Sequence, residues 1–182
     1  MMEPRELVAF AEAAVDQVEP IFRSGLGAAP ARFKGQGDFA TEVDLVIEKQ
    51  LREILTQVTG IPVYGEESGG SVLDTVWVVD PIDGTANYSA GNPMAGILVA
   101  LIHESAPIAA VSDFPLLERR LVTCDDSPLR SVGGPAAGFG GGQDAMGFDE
   151  ARGHVGCSSH LPTDIFHELR ETGLRPRMTG SV

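Results

Sequence analysis

Trp77-Val78-Val79-Asp80-Pro81-Ile82-Asp83-Gly84-Thr85 decides how the rest of the chain is read. Three strand-forming residues run directly into Asp-Pro-x-Asp-Gly-Thr. The pattern predicts a buried strand whose end brings two carboxylates to one point. Pro81 has no amide hydrogen and holds Asp80 extended, so ladder pairing is expected to stop there. Gly84 permits a sharp turn, and Thr85 is placed to cap a following helix. Upstream lies Glu66-Glu67, just after the short apolar run Pro62-Val63-Tyr64.

Asp80 and Asp83 are three apart on a turn, so both side chains can face one pocket, with the Ile82 carbonyl between them. Hard cations such as Mg²⁺ take oxygen ligands and keep several waters. Asp80 can bridge two ions, with Glu66 completing one and Asp83 the other. Two ions roughly 3.5–4 Å apart would clamp the attacking and leaving oxygens of an in-line displacement. Aspartates that only cap a turn are the competing reading. The grouping of Glu-Glu with two aspartates and no base nearby in sequence favours a metal site.

Charge distribution supports this. No Lys or Arg occurs between Arg52 and Arg119, while that stretch holds nine acids. Carboxylates gathered without basic partners repel unless protonated or bound to cations. Asp74, Glu104, Asp113 and Glu118 read as solvated single charges. Glu67 points differently from Glu66 and reads as a residue behind the ligands or one facing the loop. A phosphate brought to such a site is neutralised by metals and by the free N–H groups of Gly84 and Thr85 at a helix start. The Thr85 hydroxyl could orient a metal-bound water if a carboxylate accepts its proton. Asp44 is the candidate acceptor. Its alternative role is the N3 member of a capping box opened by Thr41. Both roles coexist only if its side chain points inward.

Outward from this centre, a helix begins at Pro4, with Leu7, Val8, Ala11, Ala14, Val15, Val18 and Phe22 on one face. Pro20 is expected to kink or end it. Residues 33–38 form a Gly-punctuated connector, a short strand or loop. A second helix starts at Thr41, with Val43, Ile47, Leu51, Ile54, Leu55 and Val58 as its stripe. Residues 94–103, 107–112 and 119–124 read as consecutive antiparallel strands. The expected architecture is α+β: a sheet with two N-terminal helices against it over residues 1–124, then a partial α/β domain over 125–182. In the second part, residues 133–147 are a glycine-rich loop without G-x-G-x-x-G spacing. Residues 153–157, 162–172 and 174–178 read as strand, helix and strand.

A net charge of −13 argues against nucleic acid or an anionic membrane as partner. No apolar run is long enough to span a bilayer, and no secretory leader pattern opens the chain. Cys124 and Cys157 make no disulfide framework or zinc pattern, which fits a reduced, cytoplasmic setting. The four histidines show no ligand spacing.

Gly65-Glu66-Glu67-Ser68, the segment from Trp77 to Tyr88, and Asp38-x-x-Thr41-x-x-Asp44 together resemble the inositol monophosphatase family. The resemblance implies a layered αβαβα sugar-phosphatase-like fold and Mg²⁺-dependent hydrolysis of a phosphomonoester such as a phosphorylated polyol. It further implies sensitivity to Li⁺ and a homodimer. Carried over by motif, Glu66, Asp80, the Ile82 carbonyl and Asp83 are metal ligands. Asp44 and Thr85 activate water. Asp83, Gly84, Thr85, Gly180 and Ser181 contact phosphate or substrate. Histidinol phosphate, fructose bisphosphate and adenosine bisphosphate are the alternative substrates within this set. Family members continue past the Gly180-Ser181 pair to a Trp-Asp that completes the second metal site, whereas Trp77 is the only tryptophan here. The resemblance therefore implies a C-terminally truncated chain with impaired turnover, or a metal-binding form without catalysis.

Overall fold

The computed structural model describes residues 2–35, 38–125, 127–133, 154–157 and 175–178. The chain divides into two compact units, Met1–Gly134 and Pro135–Val182. In the first, helix α1 spans Pro4–Ser24 and α2 spans Glu42–Thr59, with strands β1 (Pro30–Gly35) and β2 (Asp38–Thr41) between them. Strand β3 (Val63–Gly65), β4 (Thr75–Asp83), the short helix α3 (Thr85–Ser89), β5 (Gly96–His103), β6 (Ala106–Phe114), β7 (Arg119–Cys124) and β8 (Arg130–Gly133) follow. A six-stranded sheet runs in the order β3-β4-β5-β6-β7-β8, and β1 and β2 form a separate two-stranded ribbon.

α1 and α2 pack on one face of the sheet. Leu7, Val15 and Phe22 of α1 and Ile47, Leu51 and Leu55 of α2 are fully buried, as are Trp77, Ile97 and Leu101 of the sheet. Each such burial is worth about 1.5–3 kcal/mol. Trp77 brings a polar N–H into this core and donates it to the Thr59 hydroxyl at the end of α2, at 3.1 Å. α1 runs through Pro20 to Ser24 rather than ending there. Pro20 and Asp16, whose carbonyl loses its partner, are both exposed, so the missing bond costs little. Val58 of the expected α2 stripe is exposed, because the helix has turned past the sheet by its last residues.

The three strands expected after the aspartate cluster form as an antiparallel meander. β8 extends it past residue 124, where no strand was expected. Of the stretch 33–38, expected as a connector in the form of a short strand or loop, residues 33–35 end β1 and Asp38 opens β2. β4 does not end at Pro81 but runs to Asp83, so Asp80 and Asp83 lie on the end of a strand and not on a turn. The ladder passes from Asp80↔Leu98 to Asp83↔Gly96 with a register shift between them. The bulge absorbs the missing amide and lets pairing resume. Among the described residues, no helix is long and apolar enough to cross a membrane.

In the second unit β9 (His154–Cys157) and β10 (Arg175–Met178) pair in parallel. That is the pairing expected of a strand–helix–strand unit. The glycine-rich loop and the helix expected at 162–172 lie outside the described residues.

Candidate active site

β3 and β4 are parallel, with Gly65 opposite Val79. Parallel neighbours end at the same edge of the sheet. Glu66 therefore follows β3 just where Asp80 lies on β4, and the Glu66 amide extends the ladder to the Val79 carbonyl at 3.0 Å. This pairing brings the two halves of the acidic cluster together across 14 residues of sequence.

The Asp80 carboxyl is pushed up to about 9 by burial, then by the charge and hydrogen bonding of Glu66, and then by the charge of Asp83. One oxygen, Oδ1, accepts the Ile82 amide at 3.1 Å, which opposes the shift only in part. Glu66, Asp80 and Asp83 are thus a repelling group that a cation or a proton would relieve. The donors are all oxygen, which fits a hard divalent cation. Among the described residues, however, no group of three or more His, Cys, Asp or Glu side chains already forms a metal cage.

Helix starts bring the second half of the site. Thr41 is the N-cap of α2 and Asp44 its N3 residue; both are buried. Asp44 Oδ2 accepts the Thr41 amide at 2.8 Å and the Thr41 hydroxyl at 2.6 Å. Its other oxygen, Oδ1, faces the Thr85 hydroxyl at 3.3 Å. The capping role and the inward-facing role therefore coexist, one per oxygen. Burial raises the Asp44 pKa, and the hydrogen bonds from Thr41 hold it back. The Thr85 hydroxyl also reaches the Ile82 carbonyl at 3.0 Å. Gly84, not Thr85, is the N-cap of α3. It sits at φ +81°, a left-handed conformation that suits glycine, and so turns the Thr85 side chain back toward β4. Gly180 and Ser181 lie outside the described residues.

The chain belongs to the sequence class this geometry suggests. A family model described as the inositol monophosphatase family matches residues 3–136. This protein is a member of the inositol monophosphatase family. It is 45% identical over 131 residues to a probable inositol 1-monophosphatase, ImpA, of Mycobacterium tuberculosis, covering 71% of this chain and 48% of that one. It is 36% identical over 113 residues to a histidinol-phosphatase of the same organism, covering 59% and 44%. An IMPase structure from Thermotoga maritima superposes with a TM-score of 0.77 at 22% identity, over 95% of this chain and 68% of that one. That likeness places the fold among inositol monophosphatase structures. The chain spans about half the length of the curated relatives it matches.

Three features of the site were not read from the sequence. The folded acidic site is not free of bases. Lys34 of β1 lies 2.7 Å from Glu66 Oε1 and 2.6 Å from Glu67 Oε1, and Arg32 donates to the Glu67 carbonyl at 3.1 Å. Glu67 is buried, so of its two readings the loop-facing one fails, and among the described residues its Oε2 has no hydrogen-bond partner. Glu48 of α2, 2% exposed, underpins the turn: it accepts the Glu67 amide at 2.6 Å, the Ser68 amide at 3.1 Å, and the Ser68 hydroxyl. A charged residue within the apolar stripe of α2 was the one available sign, since Glu48 lies four residues after Asp44 on the same face. Away from the site, Asp113 is not a solvated single charge. It is buried and paired with Arg120 at 2.9 Å.

Proposed function

We propose that this protein is a phosphomonoesterase that uses Mg²⁺ and hydrolyses an inositol-type polyol phosphate. The observation that carries the reading is the meeting of Glu66, Asp80 and Asp83 with the Asp44–Thr85 pair at one sheet edge. Family membership and the printed activity of the ImpA relatives support the substrate class.

Glu66, Asp80, Asp83 and the Ile82 carbonyl would hold the cation. When bound, it supplies positive charge to a phosphate and to a departing alkoxide. Thr85 Oγ1 has two acceptors within reach, Asp44 Oδ1 and the Ile82 carbonyl. With its proton directed to Asp44, the hydroxyl oxygen is free to accept a hydrogen bond from a water and so to aim it at phosphorus. The raised pKa of Asp44 suits it to take a proton passed along this chain. Attack forms the new P–O bond and the ester P–O bond breaks, giving inorganic phosphate and the free alcohol. The amides of Gly84 and Thr85 are placed to contact phosphate oxygens. A homodimer is the assembly that accompanies this reading, and light scattering measures it.

The test is phosphate release from inositol 1-phosphate, histidinol phosphate, fructose 1,6-bisphosphate and adenosine 3′,5′-bisphosphate, with and without Mg²⁺. A histidinol-phosphatase and a bifunctional fructose-1,6-bisphosphatase/inositol-1-monophosphatase among the relatives justify the wider panel. We expect Mg²⁺-dependent release, greatest with the inositol ester and abolished in Asp80→Asn. Activity unaffected by that change defeats the site. Metal binding without turnover leaves the site and removes hydrolysis from this chain.

A further inference from the structure

Lys34 stands where the proposed cation must act. Its ammonium bridges Glu66 and Glu67, the first carboxylate partly exposed and the second nearly fully buried. Arg32 and Lys34 of β1 both reach the turn after β3 and together pin the strand to it. Otherwise the strand is held by its ladder with β2 and by the contact of the Phe33 and Phe39 rings. All six of its residues are exposed. Its pairing with β2 carries register shifts between Pro30 and Arg32 and between Phe33 and Gly35.

A carboxylate can be shared by two cations only at a repulsive cost. A divalent ion on Glu66 would lie within a few ångströms of the Lys34 ammonium, where charges of one sign repel strongly unless water screens them. Glu67 offers the lysine somewhere to stay. It is already bonded to Lys34, and its Oε2 is buried without a partner among the described residues.

We propose that Lys34 is a built-in counter-cation of the acidic site, competing with the divalent ion for Glu66 and displaced from that carboxylate when the ion binds. The inference rests on the metal site proposed above and adds that β1 sets its affinity. Lys34 is a positioning residue here, not a catalytic one.

Two measurements on the 182-residue chain test this. Titration calorimetry with Mg²⁺ alone should show binding about tenfold tighter in Lys34→Met than in wild type, the effect of removing one nearby positive charge. Lys34→Arg should stay close to wild type. In hydrogen exchange, saturating Mg²⁺ should speed exchange of the 30–35 peptide severalfold in wild type. In Lys34→Met that peptide should already exchange fast and respond little. Equal or weaker Mg²⁺ binding in Lys34→Met overturns the proposal while leaving the metal site standing. Tighter binding with no change in 30–35 exchange overturns displacement and leaves only a through-space charge effect. Absence of Mg²⁺ binding in every variant overturns both this proposal and the site.

Discussion

Asp80 lies between Glu66 and Asp83, and its carboxyl holds its proton up to about 9. The sign of the consequence follows from linkage. A carboxyl raised in the folded state keeps its full contribution below its unfolded pKa, about 4, and loses it as pH rises toward the folded value. Metal-free Asp80→Asn should therefore match wild-type stability near pH 4 and exceed it increasingly toward pH 8, as thermal denaturation in a chelator would show. Saturating Mg²⁺ should reverse the order, since only wild type gains from the ion. Thr85 is tested differently. Thr85→Val removes the hydroxyl between Asp44 and the Ile82 carbonyl. It should lower kcat by about 10²- to 10⁴-fold, the usual worth of a positioned proton-transfer group, and leave Mg²⁺ affinity near wild type.

At the scale of elements, the site depends on how closely α2 approaches the turn after β3. A Cβ placed on Gly65 would collide with the Glu48 carboxylate. Glu48 cannot retreat freely, because it also accepts from Glu67, Ser68 and, at 3.2 Å, Arg52. Gly65→Ala should cost about 1–3 kcal/mol, the usual range for overpacking. It should also weaken Mg²⁺ binding by moving Glu66. Denaturant melts and calorimetry on one sample would show both. Two local signals were legible beforehand: Thr41 and Asp44 form the expected capping box, and Gly84 makes the expected sharp turn. Pro81 was over-read, because a bulge can skip one residue of the ladder without ending the strand. The roles of Glu48 and Lys34 were illegible, because each acts on residues far along the chain. Lys34 is 32 residues from Glu66.

Across the whole first unit, Arg120 ties the sheet to α1. It lies 2.9 Å from Asp113, 2.7 Å from Asp16 and 3.8 Å from Glu19. Burial raises the Asp113 pKa, and Arg120 opposes the rise. Arg120→Met leaves Asp113 buried without its cation and should destabilise the chain by about 3 kcal/mol at pH 7. The loss should shrink as pH falls and Asp113 protonates in both states, a trend visible in urea melts at pH 4 and pH 7. The same pair explains why counting charges along the sequence misjudged Asp113. Asp113 and Arg120 face each other across the β6–β7 ladder, in register.

The sequence by itself determined the local pieces: the two amphipathic helices, the antiparallel meander, the capping box and the glycine turn after Asp83. Each is written in residues a few positions apart, where periodicity, capping and turn chemistry act. Tertiary structure decided what those pieces face. The parallel register of β3 on β4 set Glu66 beside Asp80. Packing of α2 under the turn placed Glu48. The ribbon of β1 brought a lysine to a stretch that has no base of its own. Charge acts through space and not along the chain, so the balance at this site is visible only once the strands are paired.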